Sequence, residues 1–484
     1  MLNTQYEIKL SPYRSLYDII VPSGNLFRRM ADEIDFSFIF DELKAKYNPN
    51  TGRKAISPIQ LLKYLIIKAY TDLSDRDLVE AVRVNMAFKY FLGLNPEDAP
   101  VDSSTLTVFR RQRLKDTDLL DVMIKKTVEI ALEKQIIKKK TDIIVDSTHT
   151  RSPYQPYQPL DLLKIRSKKL RSAIYSENED LVGEIERDKE IKDLPDELAY
   201  AKKLILTVKK EHPALSGNSK VSVELNKLEE SVGDIEDHYT ANPVDKDARI
   251  GHKTAETDFF GYKSHLAVTK ERIIVGAVIT SGEKSDTAQA QEVVGKVEAS
   301  GIEVETLIGD GAYSSKEILK YADGKFKVAA PLNPIVFNGC RKTEDKLEIN
   351  KDASAPVCKA GHIATQKRIV TYKDKSQSQI FTFDKNKCAC CKLRGTCNPK
   401  LKGKTYSIPV HTEEQIRQMA YQQTAEYKEK MKHRYKIEAK NAELKQYGYG
   451  EADSYGLESM TIQAATTIFF VNIKRIFKLI DSAK

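Results

Sequence analysis

At 484 residues, 41% of them apolar and 30% charged, the chain is long enough for two or three domains with real cores. Its start, MLNTQYEIKLSPYRSLYDII, lacks the basic-then-apolar pattern of a signal peptide, and no apolar run approaches the roughly 20 residues of a membrane span, so a cytoplasmic protein is expected. The net charge of +9 is local, because residues 385–445 hold 15 Lys or Arg against 6 Asp or Glu; this suits a polyanion such as nucleic acid, and a solvated lysine-rich helix face as well.

Residues 1–138 read as helices. In ISPIQLLKYLIIKAY, Ser57 stands as N-cap, Pro58 takes the first helical position, and apolar residues recur at 61, 62, 65, 66 and 69. Ser74 and Asp77 predict a capping box that opens one helix, closed by Gly93. Asp102 to Ser104 then start TLTVFRRQRLKD, which bears Arg110, Arg111 and Arg113. Two short helices before an arginine-bearing one suit a helix-turn-helix that docks in the DNA major groove; a plain helical bundle fits the same pattern.

From residue 139 the period changes. IIVDST reads as a strand ending on Asp146, and residues 156–245 form a highly charged, mostly helical stretch. GYKSHLAVT and RIIVGAVIT predict a hairpin, SDTAQAQEVVGKVEAS a helix, and ETLIGD a strand ending on Asp310. Ser314 with Glu317 caps a further helix, and FKVAAPL is the next strand. This order predicts an α/β domain with one mixed sheet, into which 156–245 is inserted. Residues 412–447 read as one long helix, with Thr412 and Gln415 as capping box and Gly448 as terminator.

Asp146 and Asp310 each follow an apolar strand, where α/β sheets place ligands, and a buried carboxylate needs a partner. On the long helix, Arg434, Glu438 and Lys445 are spaced by four and seven, so they share one face. Three carboxylates on rigid elements can hold two Mg²⁺ (or Mn²⁺) ions about 4 Å apart for phosphodiester chemistry, with the cations gripping phosphates. An i,i+4 ion pair is the plainer reading of Arg434 and Glu438.

With these residues in place, the chain resembles a bacterial insertion-sequence transposase of the DDE class. IIVDST is similar to the family's first-strand Asp motif and IGDGAYSS to its second. Arg434, Glu438 and Lys445 fit its Tyr-x2-Arg-x3-Glu-x6-Lys pattern, which departs here at the Tyr position, occupied by Met431, with Tyr427 one turn earlier. DARIGHKTAETDFFGYKSHLAVT resembles the family's second and third strands, VDSSTLTVFRRQRL its N-terminal helical domain, and YGLESMTIQAATTIFFVNIKRI its C-terminal end. The resemblance covers nearly the whole chain and is weakest over 156–245. It implies a ribonuclease-H-like mixed sheet flanked by helices, with Asp146, Asp310 and Glu438 as catalytic metal ligands. Arg434 and Lys445 would contact DNA phosphates.

Six cysteines fall at 340, 358, 388, 390, 391 and 397 and none elsewhere. Cytosolic disulfides are rare, so the cluster reads as a structural Zn²⁺ site with Cys358, Cys388, Cys391 and Cys397 as ligands, and Cys390 and His362 as rivals. Buried thiols without metal are the alternative. A cysteine-rich insert of this kind also resembles one in the same transposase branch.

The expected organisation is an all-α DNA-binding or dimerisation domain (1–138), a catalytic domain (139–155, 251–335 and 405–484), a charged helical insert (156–250) and a zinc insert (336–404). Arg110, Arg111 and Arg113 are the expected DNA contacts of the first domain. The expected function is DNA cleavage and strand transfer at the terminal inverted repeats of a mobile element. A homodimer or larger synaptic complex would act on target DNA at the nucleoid. A non-catalytic DNA-binding regulator, or a host nuclease on the same fold, is the alternative.

Overall fold

The computed structural model describes residues 11–48, 55–155, 158–182, 185, 191, 193–216, 218–236, 244–254, 257–332, 348–349, 356–372, 377–397 and 403–483. The chain divides into two compact units. The first takes Met1–Lys139, Ser147–Glu303 and Ile437–Lys484, and the second Lys140–Asp146 and Val304–Lys436.

The first unit opens with helices. Pro58–Thr71 starts at Pro58 and buries Leu61, Leu62, Leu65, Ile66 and Ala69, the stripe that the spacing predicts. The single helix expected after Ser74 is two, Asp75–Val84 and Met86–Leu92. Asn85 breaks it: its backbone is extended, and its side-chain oxygen accepts from the N–H groups of Ala87 and Phe88. An Asn so placed caps a new helix instead of continuing the old one. Gly93, at φ +70°, closes the second helix as expected. Asp102 caps Ser103–Val108, which runs into a single π-helical turn over Phe109–Arg113.

The strands of this unit are β2 (Arg249–Thr254), β3 (Thr257–Thr269) and β4 (Ile274–Ser281), together with the Ser147–Arg151 end of β1 (Lys140–Arg151). β3 runs antiparallel to both β2 and β4 and has β1 on its path. At Gly261 the strands come so close that a Cβ would stand 2.1 Å from the Thr150 carbonyl oxygen, so only glycine fits. The inserted segment is a three-helix bundle, Pro159–Glu177, Leu194–Lys210 and Ser219–Glu236, with its own core of residues such as Leu163, Leu170, Leu204, Val208 and Leu228. Where the insert returns to the sheet, the buried Asp245 carboxylate accepts from Tyr262 (2.6 Å) and Ser152 (2.5 Å). Helix Asp286–Ala299 packs on β3 and β4, and the closing helix Leu457–Ala483 packs on β4, Pro58–Thr71 and Leu119–Glu133. Among the described residues no helix is long and apolar enough to cross a membrane.

The second unit holds the Lys140–Asp146 part of β1, then β5 (Glu303–Ile308, from Val304 on) and β6 (Lys327–Ala329), in the order β1-β5-β6 with β5 and β6 parallel. Gln418 donates to the carbonyls of Val328 (2.9 Å) and Ala330 (3.0 Å), pinning its helix beside β6. A separate antiparallel sheet joins Gln366–Thr371, Gln377–Thr382 and Thr405–Pro409.

The single helix expected over 412–447 is three: Glu413–Gln422, Ala425–Met431 and Tyr435–Lys445. The Thr412–Gln415 capping box and the left-handed Gly448 are as expected. Thr424 makes the first break, since its hydroxyl accepts from Tyr427 N–H and restarts the helix. Short-range bonds from His433 to Lys430 and from Arg434 to Met431 make the second. A mixed sheet with helices beside it, after a helical N-terminal region, is the ribonuclease-H-like arrangement that the resemblance implies.

Candidate active site

β1 does not end at Asp146 but continues to Arg151, so Asp146 stands inside a strand, half-buried. The continuation has a physical cause. Thr148 and Thr150 are β-branched and buried, and the Thr150 hydroxyl donates to the Tyr449 carbonyl at 2.9 Å. Asp310 lies two residues past the end of β5, where its carboxylate accepts from Ala312 N–H at 2.9 Å and opens a short 3₁₀ turn. The helix after it is capped by Ser315, not by Ser314, whose hydroxyl donates instead to the Pro331 carbonyl at 2.7 Å.

The strand order brings the two acids onto neighbouring strands. Glu303 N–H donates to the Lys139 carbonyl at 2.7 Å where β1 and β5 begin, and the two strands are neighbours. From that bond both strands run the same way. Asp146 lies seven residues beyond Lys139, and Asp310 lies seven beyond Glu303. In a parallel ladder this bond sets Lys140 opposite Glu303, and adjacent strands advance together at about 3.3 Å per residue, so Asp146 falls level with Gly309, the residue before Asp310.

Glu438 sits in the first turn of Tyr435–Lys445 and is exposed, with Lys445 at the helix end. Arg434 lies in the turn directly before this helix, four residues ahead of Glu438. Lys440, on the same helix, is fully buried at 2.9 Å from Glu443. Burial pushes its ammonium down to about 8 against the opposing pull of Glu443.

Two charge clusters escaped sequence reasoning. Asp142, four residues before Asp146, is buried on β1 and meets Lys430 at 2.7 Å through both oxygens. In the first unit, Asp286 lies 3.2 Å from His265 and 3.4 Å from Lys263, and Ser147 hydrogen-bonds to it. Burial alone would raise the Asp286 carboxyl. The His265 and Ser147 hydrogen bonds and the Lys263 and His265 charges outweigh burial and hold it below the usual range. The signal was present in GYKSHLAVT, where a Lys and a His two apart must share one strand face.

The arginines of Phe109–Arg113 divide. Arg110 pairs with Asp75 and Arg113 donates to the Lys46 carbonyl, its guanidinium 4.5 Å from the Tyr47 ring centre, while Arg111 is exposed.

Cys358, Cys388, Cys391 and Cys397 line one cavity of about 40 Å³, with His362 beside them. Cys358 N–H donates to the His362 carbonyl, and His362 N–H points at Cys358 Sγ at 3.4 Å, a tight loop closed by Gly361 at φ +79°. Cys390 is outside the cavity: it is exposed, with Sγ 2.8 Å from the Asn386 carbonyl oxygen. Cys340 lies outside the described residues. The described cysteines form no disulfide. Four thiols and an imidazole around a space of that size are the soft donor set Zn²⁺ takes, and the carboxylates of Asp146 and Asp310 are the hard donors Mg²⁺ takes. Among the described residues no three His, Cys, Asp or Glu side chains already stand at metal-holding distances.

Two family models match the chain. One, described as Transposase domain (DUF772), covers residues 15–112, and the other, Transposase DDE domain, covers residues 220–473, over half the chain. No curated protein and no solved structure matches.

Proposed function

Because the chain belongs to the DDE transposases of insertion sequences, we propose that it binds the ends of its own element and catalyses DNA cleavage and strand transfer with Asp146, Asp310 and Glu438. The observation that carries this reading is that Asp146 and Asp310 come from adjacent strands, Asp146 within β1 and Asp310 just past the end of β5. These two carboxylates and Glu438 would hold divalent ions, Mg²⁺ or Mn²⁺. Bound there, a metal pair supplies an activated water or 3′-hydroxyl and steadies the leaving oxygen.

The protein's own part is positioning. β1 and β5 are rigid, so their acids keep a fixed separation, and Lys440 buries one side of the helix that bears Glu438. Arg434, Lys445 and the basic segment 385–445 grip phosphates, which fixes the duplex without reading its sequence. Reading falls to residues 1–138, with Arg111 as the exposed arginine of the Phe109–Arg113 turn. The cysteine cavity holds a structural Zn²⁺ that folds its insert. The working form is a dimer or larger synaptic complex on the nucleoid.

The test is direct. Asp146→Asn, Asp310→Asn and Glu438→Gln should each abolish Mg²⁺-dependent cleavage of element ends while end binding stays near wild type. Near-normal cutting by any one of them removes that residue from the site.

A further inference from the structure

We infer that the first helix of the insert, Pro159–Glu177, is a contact surface for the phosphate backbone of duplex DNA. The inference rests on the transposase reading and assigns a role to the bundle that the reading leaves idle. Between Leu162 and Ser176 this helix carries five basic residues, Lys164, Arg166, Lys168, Lys169 and Arg171, and no acidic one. Its packing partner Ser219–Glu236 reverses the balance, with five acidic residues and two basic. The two signs are thus sorted onto different helices of one small module.

The lysines also differ in what they do. Lys202, Lys209, Lys220 and Lys227 are each paired with a glutamate, namely Glu236, Glu229, Glu177 and Glu224. Among the described residues Lys164, Lys168 and Lys169 form no ion pair, and Lys168 and Lys169 are exposed. Arg166 is buried and Arg171 lies 5.8 Å from the Tyr200 ring centre, so they support the face from beneath. Lys164 and Lys168 are one helical turn apart, about 6 Å, so their charges line up along the helix.

A row of unpaired, like charges on a rigid helix repels itself and is relieved by a polyanion. The bundle's own core keeps that row rigid. The helix is also the first to follow β1, the strand bearing Asp146, so DNA engaged there has the insert next in the chain. Such contacts are blind to sequence and add affinity, not choice of site.

The experiment uses the full chain and a triple variant, Lys164→Gln with Lys168→Gln and Lys169→Gln, which removes charge and keeps length. Affinity for duplex DNA is measured across a salt series. Losing three phosphate contacts should flatten the slope of log affinity against log salt by about 2.7, at roughly 0.9 per contact. A control, Lys202→Gln with Lys209→Gln and Lys227→Gln, should leave the slope unchanged, which guards against a general loss of fold or charge. Equal slopes for wild type and the 164/168/169 variant overturn the inference, while wild-type cutting of element ends keeps the transposase reading. A salt-sensitive self-association that only this variant loses, with DNA slope unchanged, overturns it in favour of the acidic helix of a second copy. A wild-type chain that neither binds nor cuts duplex DNA overturns both.

Discussion

The Asn472 side chain completes the backbone of Ile274: it accepts from the Ile274 N–H at 2.9 Å and donates to the Ile274 carbonyl at 2.8 Å. Its amide also donates to Thr127 at 2.9 Å, so one buried side chain ties the closing helix to β4 and to Leu119–Glu133. In the sequence, Asn472 merely interrupts an apolar run. In the fold it satisfies the main chain where β4 begins.

Asn472→Leu keeps the volume but takes the side-chain partner from two backbone groups in the core, while the Thr127 hydroxyl keeps its bond to the Ile124 carbonyl. Each buried unpaired group costs about 1–3 kcal/mol, so for two groups a total loss of about 2–6 kcal/mol and a fall of several degrees in Tm are expected. Thermal unfolding followed by circular dichroism checks it. A variant that melts with wild type would mean the bonds contribute nothing net.

The Asp286 cluster predicts a pH effect with a definite sign. Folding holds this carboxyl below its unfolded value of about 3.9, so its contribution is full above that value and is lost as pH falls through the folded pKa. Asp286→Asn should therefore cost about 1–3 kcal/mol near neutrality, with the deficit shrinking below about pH 4. Denaturant midpoints of both proteins at several pH values measure the gap. A gap that stays constant on acidification would show that the charge is not what stabilises.

Much of this was legible because periodicity and caps are local. The hairpin of β3 and β4, the Ser285-capped helix and the strand leading to Asp310 all announce themselves in apolar alternation and cap residues. What failed was continuity. Asn85 and Thr424 each interrupt what reads as one helix, because a side-chain cap competes with the helix it sits in, and short-range backbone bonds at 432–434 make a further break. The opposite error occurred at Asp146. A carboxylate looked like a strand end, yet the ladder beside β3 carries the strand on to Arg151. Pairings distant in sequence, such as Lys430 with Asp142 and Arg110 with Asp75, follow from tertiary packing that no local pattern encodes.

The three arginines of the π turn should separate by assay. Arg111→Ala should reduce the salt slope of end binding by about 0.9 and leave Tm unchanged, since its side chain faces solvent. Arg110→Ala should instead lower Tm, because it leaves Asp75 half-buried without its partner, at about 1–3 kcal/mol. If Arg110→Ala left Tm intact and weakened DNA binding, that residue would move to the DNA face.

The cysteine cavity makes the sharpest division among chemically identical side chains. Cys358, Cys388, Cys391 and Cys397 face one small space with His362, whereas Cys390, adjacent in sequence to Cys391, faces away. If the space is a zinc site, protein purified in reducing buffer should carry about one Zn per chain. Cys390→Ser should keep it, while Cys358→Ser or Cys391→Ser should lose it through dialysis. Removing zinc with a chelator should also expose the insert to limited proteolysis, since ligand binding and local folding are one equilibrium there. Elemental analysis of the four proteins decides the matter. Wild type without zinc would leave these thiols as reduced cysteines in a dry cavity, and loss of metal in Cys390→Ser would make the outward cysteine a ligand.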